Sequence, residues 1–342
     1  MTNESAPSRE VPFETIETHT AGEPTRIVVD GLDEFVPDHG SVREKMRHFE
    51  DHHDWVRRLL MQEPRGHADM YGAFPVEPQA PEADLGVFFA HVSSTGDMCG
   101  HATIGLVTAL IETGRLEPAD EITLETPAGL VRAYPVVEDG TVTEVSMRNV
   151  EAFVYDDVEV RLDDVGAVDV DVVSSGEYFA MVSVDDIGVD IEPENIPELR
   201  SLSEQLHDRI NDRLDFEHPF REARPELQAV EFYRSATGGG PEGRDVDRNT
   251  VIFGDRVQVD RSPCGTGTCA KAALKYTQGD IGLDEEFVHE SVIDTRFRSR
   301  VVDAEQRDGY TVVTPEVTGD AHIIGEHTFV KRPDDPVNGF TV

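Results

Sequence analysis

The sequence predicts a mixed α/β (α+β) fold in two pseudo-symmetric halves. Three observations predict it. Strand-like and helix-like segments alternate along all 342 residues. Their order repeats after residue 150. Two short segments, Asp97-Met98-Cys99-Gly100-His101-Ala102-Thr103 and Ser262-Pro263-Cys264-Gly265-Thr266-Gly267-Thr268, look like copies of one device. Each places a cysteine before a glycine, then a threonine, and runs into an apolar helix-like stretch.

In the first half, 11–17 and 25–29 read as strands. The segment 42–61 spaces Val42, Met46, Phe49, Val56 and Leu60 for an amphipathic helix. The Pro-rich stretch 75–83 reads as a loop, and 85–92 as an apolar strand leading into the first cysteine device. A helix over 101–113 ends at Gly114, a C-cap signal. Strands are expected at 122–125, 130–138 and 142–149, with Asp139-Gly140 as a hairpin turn.

In the second half, strands at 169–173 and 178–184 precede a long helix over 197–214. Strands at 227–233, 250–253 and 258–259 lead to the second device, whose helix covers 266–278 and closes at Gly279. Strands at 288–293, 297–302, 310–314 and 322–324 complete the order. Residues 1–10 read as a disordered tail, without the basic patch and apolar core of a secretory signal. The stretch 236–243 reads as a flexible loop.

Composition narrows the function classes. The chain carries 69 acidic and 30 basic residues, a formal net charge of -39. Such a surface repels phosphate backbones, so nucleic-acid partners are not expected. The carboxylates are spread between apolar strands and do not form a block. Only Lys45, Lys271, Lys275 and Lys331 are lysines. This pattern suits a folded, halophilic protein whose self-repulsion is screened at high ionic strength. No run of about 18 apolar residues predicts a membrane span. Three cysteines make no disulfide framework, and a reducing, cytoplasmic location is expected. Cys99, Cys264 and Cys269 match no zinc spacing, so no metal is expected.

The cysteine devices carry the chemistry. A helix start exposes backbone N–H groups and the positive end of the dipole. It therefore holds carboxylates and lowers the pKa of a neighbouring thiol. A glycine after the cysteine lets a ligand approach the backbone. Two opposed devices would hold one carboxylate and place a sulfur on either face of its α-carbon. One thiolate would remove the α-proton and the other thiol would deliver one, with no cofactor. Other readings stand beside this one. Gly265-Thr-Gly267-Thr-Cys-Ala270 is formally a dinucleotide fingerprint, but no βαβ unit surrounds it. A Cys99–His101 pair would suit a thiol hydrolase, but leaves Cys264 unexplained. His48, His52 and His53 invite a metal reading on the predicted first helix; a solvated helix face explains them more simply. His67, His289 and His322 read as structural.

The chain resembles the proline racemase family, which includes 4-hydroxyproline 2-epimerases and trans-3-hydroxyproline dehydratases. The resemblance rests on Thr18-His-Thr-Ala-Gly-Glu-Pro-Thr-Arg26, Glu63-Pro-Arg-Gly-His-Ala-Asp-Met-Tyr-Gly-Ala73, Met98-Cys-Gly-His101, Asn249, Asp260-Arg-Ser-Pro-Cys-Gly-Thr-Gly-Thr268, His289-Glu-Ser291 and Gly325 to Phe329. It implies a diaminopimelate-epimerase-like fold, each half a curved β-sheet around a central helix, with the site in the cleft between them. It implies an N-terminal domain of 11–150 plus 327–342 and a C-terminal domain of 151–326. It further implies Cys99 and Cys264 as the acid/base pair, and the N–H groups of Gly100, His101, Gly265 and Thr266 as the carboxylate cradle. The side chains of His101 and Asp260 become the partners of the substrate's ring nitrogen. Proline or hydroxyproline is the implied substrate, and a homodimer the implied assembly. A thiol at Cys264 favours racemisation or epimerisation, since dehydratases of the family often carry threonine or serine there. A trans-3-hydroxy-L-proline dehydratase is the alternative of another reaction class. An inactive amino-acid-binding paralogue is the non-catalytic alternative. Ser174-Ser-Gly-Glu-Tyr-Phe179 and Cys269 depart from the family pattern and bear on substrate choice. Cys269 itself reads as a packed structural thiol.

Overall fold

The computed structural model describes residues 9–236, 246–254 and 258–341. Most of the expected tail and of the 236–243 loop lies outside the described residues. The chain separates into two compact units. The first comprises residues 9–20, 24–145 and 320–341, and the second 21–23 and the described part of 146–319.

In the first unit, β1 (Val11–Thr20) pairs antiparallel with β18 (Ala321–Lys331), from Val11 opposite Lys331 to Thr20 opposite Ala321, with a bulge at Glu17/Thr18. The strand β2 (Glu23–Asp30) runs parallel to β3 (Tyr71–Val76), and β3 antiparallel to β4 (Leu85–His91). β4 also pairs with β5 (Thr95–Gly96) and, in parallel, with β6 (Ile122–Thr126), which is followed by β7 (Gly129–Glu138) and β8 (Thr141–Arg148). Asp139 and Gly140 both take positive φ, 50° and 85°, as a tight hairpin turn of this kind requires.

The expected amphipathic helix is α1 (Val42–Met61), opened by a capping box between Ser41 and Glu44. Its apolar stripe joins Phe13, Val28, Phe74 and Phe88 in one core. The second helix, α2 (Gly100–Glu112), is buried from Gly100 to Ile111 and packs against β1, β3, β7 and β18. A helix that is apolar on every side has no solvent face to spare and takes the centre of its unit. Gly105 lets it press on β1: a Cβ there would lie 2.7 Å from Thr18 Oγ1.

The second unit repeats the plan. β9 (Phe153–Leu162), β10 (Gly166–Ser174) and β11 (Tyr178–Ser183) lead through the short α3 (Val184–Ile187) to α4 (Ile196–Asn211). Then β12 (Ala229–Arg234), β13 (Val246–Phe253) and β14 (Gln258–Val259) precede α5 (Gly265–Gln278). β15 (Phe287–Glu290), β16 (Arg296–Arg307) and β17 (Tyr310–Gly319) follow. β11 and β12 are parallel, while β12/β13, β15/β16 and β16/β17 are antiparallel. The helix α4 covers one face of β9 and β12, and α5 is the central helix, packed on β9, β10, β11, β16 and β17. Alternation along β12 divides its residues between two cores: Val230 and Phe232 face the α4 side, Ala229 and Tyr233 the α5 side.

Three strands escaped the sequence reading, one of them the two-residue β5. β9 is mostly charged on its exposed side, Asp156, Asp157, Glu159 and Arg161, which hid its period-two core face of Val158, Val160 and Leu162. β3 runs one residue beyond Pro75, a residue that marked the start of a loop.

Candidate active site

The first cysteine device lies at the start of α2. Cys99 is the N-cap, in ordinary extended backbone at φ -152° and ψ 118°. The turn before it is pinned by a half-buried ion pair, Arg43 Nη2 to Asp97 Oδ2 at 3.0 Å, and by the Ala128 N–H donating to the Asp97 carbonyl at 3.2 Å. Thr103 closes the first helical turn twice. Its N–H donates to the Cys99 carbonyl at 3.1 Å and its hydroxyl to the same oxygen at 2.7 Å. The N–H groups of Gly100 and His101 have no intrahelical acceptor at this position.

His101 turns its ring toward the thiol, with Nδ1 3.2 Å from Cys99 Sγ. Tyr71 packs edge-on against that ring at 5.0 Å between centroids, and Thr20 donates to the His101 carbonyl at 2.8 Å. The structure thus brings Cys99, Gly100 and His101 together. An imidazole in contact with a thiol can share its proton and stabilise a thiolate.

The second device lies at the start of α5. Cys264 is again the N-cap, but at φ 59° and ψ 114°. A non-glycine residue at positive φ is strained, and its surroundings must hold it there. The Cys264 N–H donates to Ser262 Oγ at 3.0 Å, and the Thr268 N–H to the Cys264 carbonyl at 2.7 Å. The thiol accepts from the Gly267 N–H at 3.3 Å and lies 3.6 Å from Thr266 Oγ1. Asp260 Oδ1 accepts from both the N–H and the hydroxyl of Ser262, each at 2.8 Å. Its Oδ2 is buried with no hydrogen-bond partner, which suits a cationic ligand atom. Glu23 accepts from the Arg261 N–H at 2.8 Å and so anchors the loop. Asp260, Cys264, Gly265 and Thr266 therefore stand together.

A helix start favours a thiolate, yet Cys264 is pushed well up. It is 2% exposed; burial is the main cause and the Asp260 carboxylate adds to it. The Gly267 N–H and the Thr266 hydroxyl offset only part of this. Desolvation disfavours the thiolate more than one helix turn favours it. Cys269, on the same helix, is fully buried and its thiol is also raised by burial.

Behind Cys264 lies a buried polar cluster that sequence reasoning missed. Glu231, Asp247, Asn249 and His289 are all 0% exposed, and Lys271 is 1% exposed. Lys275 donates to Asp247 Oδ2 at 2.8 Å, and Lys271 Nζ sits 3.1 Å above the Tyr233 ring. Burial lifts Glu231 to about 8 and draws Lys271 down to about 8 and His289 to about 3. The available signal was Glu231 itself, a carboxylate at an inward position of a strand that reads Ala-Val-Glu-Phe-Tyr-Arg. Among the described residues no group of three or more His, Cys, Asp or Glu side chains could hold a metal ion. His48 and His52 stack at 4.4 Å on α1. No helix among the described residues is long and apolar enough to cross a membrane.

Comparison with known proteins agrees with this architecture. A family model described as proline racemase matches residues 15–341. The chain is 41% identical over 333 residues to proline racemase of Clostridioides difficile, covering 96% of this chain and 97% of the relative. It is 36% identical over 334 residues to trans-3-hydroxy-L-proline dehydratase of Bacillus thuringiensis, covering 96% and 97%. A crystal structure of a hydroxyproline epimerase from Agrobacterium vitis, with bound trans-4-hydroxy-L-proline, superposes with a TM-score of 0.88. That pair is 26% identical, covering 98% of this chain and 97% of the other. The fold is the diaminopimelate-epimerase-like one, and the chain belongs to the proline racemase family of enzymes.

Proposed function

We propose that the protein is a cofactor-independent racemase or epimerase that inverts the α-carbon of proline or 4-hydroxyproline with two thiols. The observation that carries this is the repeated device: a buried cysteine caps the central helix of each unit, Cys99 on α2 and Cys264 on α5. Nothing in packing alone asks for a thiol at both helix starts.

The chemistry runs as follows. The substrate carboxylate is held by the N–H groups of Gly100, His101, Gly265 and Thr266, which also stabilise the negative charge that develops when the α-C–H bond breaks. One thiolate takes the α-proton, and the thiol on the opposite face gives its own proton to the α-carbon. The two sulfurs end with their protonation states exchanged. In the free enzyme the proton sits on Cys264, because burial and Asp260 both oppose its ionisation. Cys99, beside the His101 imidazole, then acts as the base for the first turnover. The unpartnered Oδ2 of Asp260 takes the secondary ammonium of the ring, with His101 as its second partner.

Incubation with L-proline or trans-4-hydroxy-L-proline in heavy water tests the reading. Formation of the opposite stereoisomer carrying deuterium at the α-carbon is the expected result; an unchanged α-proton signal with both substrates would defeat it.

A second reading is a lyase acting on trans-3-hydroxy-L-proline, favoured by the likeness to the dehydratase of Bacillus thuringiensis. There the α-proton leaves to Cys99 and the β-hydroxyl departs as water. A pyrroline product from the 3-hydroxy substrate selects it, and the thiol at 264 argues against it.

The surface adds a working condition. All four lysines, Lys45, Lys271, Lys275 and Lys331, are at most 8% exposed. The exposed cations are therefore arginines, set among an excess of carboxylates. This supports a protein adapted to high salt, for which Tm rises with potassium chloride as repulsion is screened. A homodimer is the expected assembly, and size-exclusion chromatography in high salt measures it.

A further inference from the structure

The carbonyl of Pro263, the residue before Cys264, is held from two sides. Asn249 Nδ2 donates to it at 2.7 Å and Thr268 Oγ1 at 3.0 Å. Cys264 follows directly at a strained positive φ, so these two bonds help fix where its sulfur points. Each donor is itself backed by a buried group. The Thr268 hydroxyl has one hydrogen and gives it to Pro263, so it accepts from His289, whose Nδ1 is 3.1 Å away. The imidazole proton is therefore on Nδ1, and Nε2 is a bare acceptor. Asn249 gives one Nδ2 hydrogen to Pro263 and keeps the second for another acceptor. His289 Nε2 and Asn249 Oδ1 are both buried without a hydrogen-bond partner.

Both residues face one carboxyl. Glu231 Oε1 lies 3.6 Å from His289 Nε2, and the Asn249 side chain reaches the same carboxyl. Glu231 also backs the helix start. A Cβ on Gly267, whose N–H donates to Cys264 Sγ, would lie 2.5 Å from Glu231 Oε2. An ionised Glu231 would present its lone pairs to the lone pair of His289 Nε2. A protonated one turns its hydrogen toward His289 Nε2 and accepts the second Asn249 N–H.

We propose that Glu231 is a positioning residue, buried as a neutral carboxylic acid, that holds the Cys264 thiol through His289–Thr268 and Asn249, two hydrogen-bond paths converging on the Pro263 carbonyl. The surroundings are consistent with a neutral acid. Burial raises its affinity for a proton most; Lys271 on α5 and the Asn249 side chain oppose this, and Asp247 and Asp260 add to it. Lys275 is engaged by Asp247, and burial above all keeps His289 from charging, against the pull of Asp247 and with Lys271 and Lys275 adding to it.

The inference rests on the reading of Cys264 as catalytic, and two variants of the full chain test it. Glu231→Gln keeps a donor for His289 and an acceptor for Asn249, and its kcat stays close to that of the parent. Glu231→Met keeps the volume and loses the donor; its kcat falls on the order of 10²-fold at nearly unchanged KM, as expected for a misplaced reacting group. Raising the pH through the ionisation of Glu231, at about 8, diminishes kcat in the parent, and Glu231→Gln moves that loss to higher pH. Nitrogen NMR of His289 in the unliganded protein provides a readout independent of turnover. The parent shows a neutral imidazole protonated at Nδ1, with an Nε2 signal that shifts as Glu231 ionises; in Glu231→Gln that signal is flat. An imidazolium at neutral pH, an Nε2 signal that ignores pH in the parent, or full kcat in Glu231→Met would overturn the proposal. Should Cys264 prove dispensable for racemisation, the imidazole signal still decides the state of Glu231 by itself.

Discussion

The two cysteine devices share a sequence pattern and differ in nearly everything that sets a thiol's chemistry. At both, the threonine four residues on closes the first helical turn with an N–H to the cysteine carbonyl, at 3.1 Å for Thr103 and 2.7 Å for Thr268. There the likeness ends. Cys99 sits in relaxed extended backbone beside an imidazole. Cys264 sits at positive φ, beside an aspartate, in front of a buried acid. A helix start alone therefore does not fix a thiol's pKa. The groups within a few ångströms and the degree of burial decide it, and here they push Cys264 upward. An inverting enzyme with two thiols needs one ionised and one protonated at a time, in either order.

The largest effect that would break the comparison is removal of either sulfur. Cys99→Ser and Cys264→Ser should each lower racemisation on the order of 10³-fold, as loss of a general acid or base does. A variant that racemises at the parent rate would show that its cysteine is not in the pair. Next comes the order of alkylation. With iodoacetamide near neutral pH and no substrate, peptide mapping should find Cys99 modified first and Cys264 slowly. Competing substrate should protect Cys99. Equal rates would mean that burial and Asp260 do not hold the Cys264 proton as described.

A smaller effect concerns stability. Gly267→Ala would put a methyl group within 2.5 Å of Glu231 Oε2, a carboxyl enclosed on every side. We expect a loss of about 1–3 kcal/mol by denaturant unfolding, as overpacking a core usually costs. Unchanged stability would mean that Glu231 can move away, contrary to its part in fixing Cys264. A last effect is in acid. Burial holds His289 neutral, drawing its pKa in the folded chain down to about 3 from the ordinary 6.5. Its contribution to stability is full above the unfolded value. It is lost as pH falls from about 6.5 towards 3, because the unfolded chain takes up a proton there and the folded chain does not. His289→Gln should flatten that part of the stability–pH curve; an unchanged slope would assign it to other groups.

Much of this was legible in the sequence. The helix 42–61 is written in its apolar spacing and is α1 residue for residue. The two glycine stops and the Asp139-Gly140 turn are local backbone chemistry. The cysteine devices stood out because the same residue types recur at helix starts. The cluster behind Cys264 was not legible, because its members lie far apart in the chain. Glu231, Asn249, Thr268 and His289 meet only through β12, β13, α5 and β15 packing together. The state of Cys264 was not legible for the same reason. Local sequence shows the helix dipole, while burial and the approach of Asp260 belong to the fold.

The most direct test of the two-thiol account is proton NMR in heavy water at high salt, following the α-proton of L-proline and trans-4-hydroxy-L-proline with the parent enzyme and with Cys264→Ser. The account predicts loss of the α-signal with growth of the deuterated opposite stereoisomer for the parent, and no inversion for the variant. Full inversion by Cys264→Ser would contradict it.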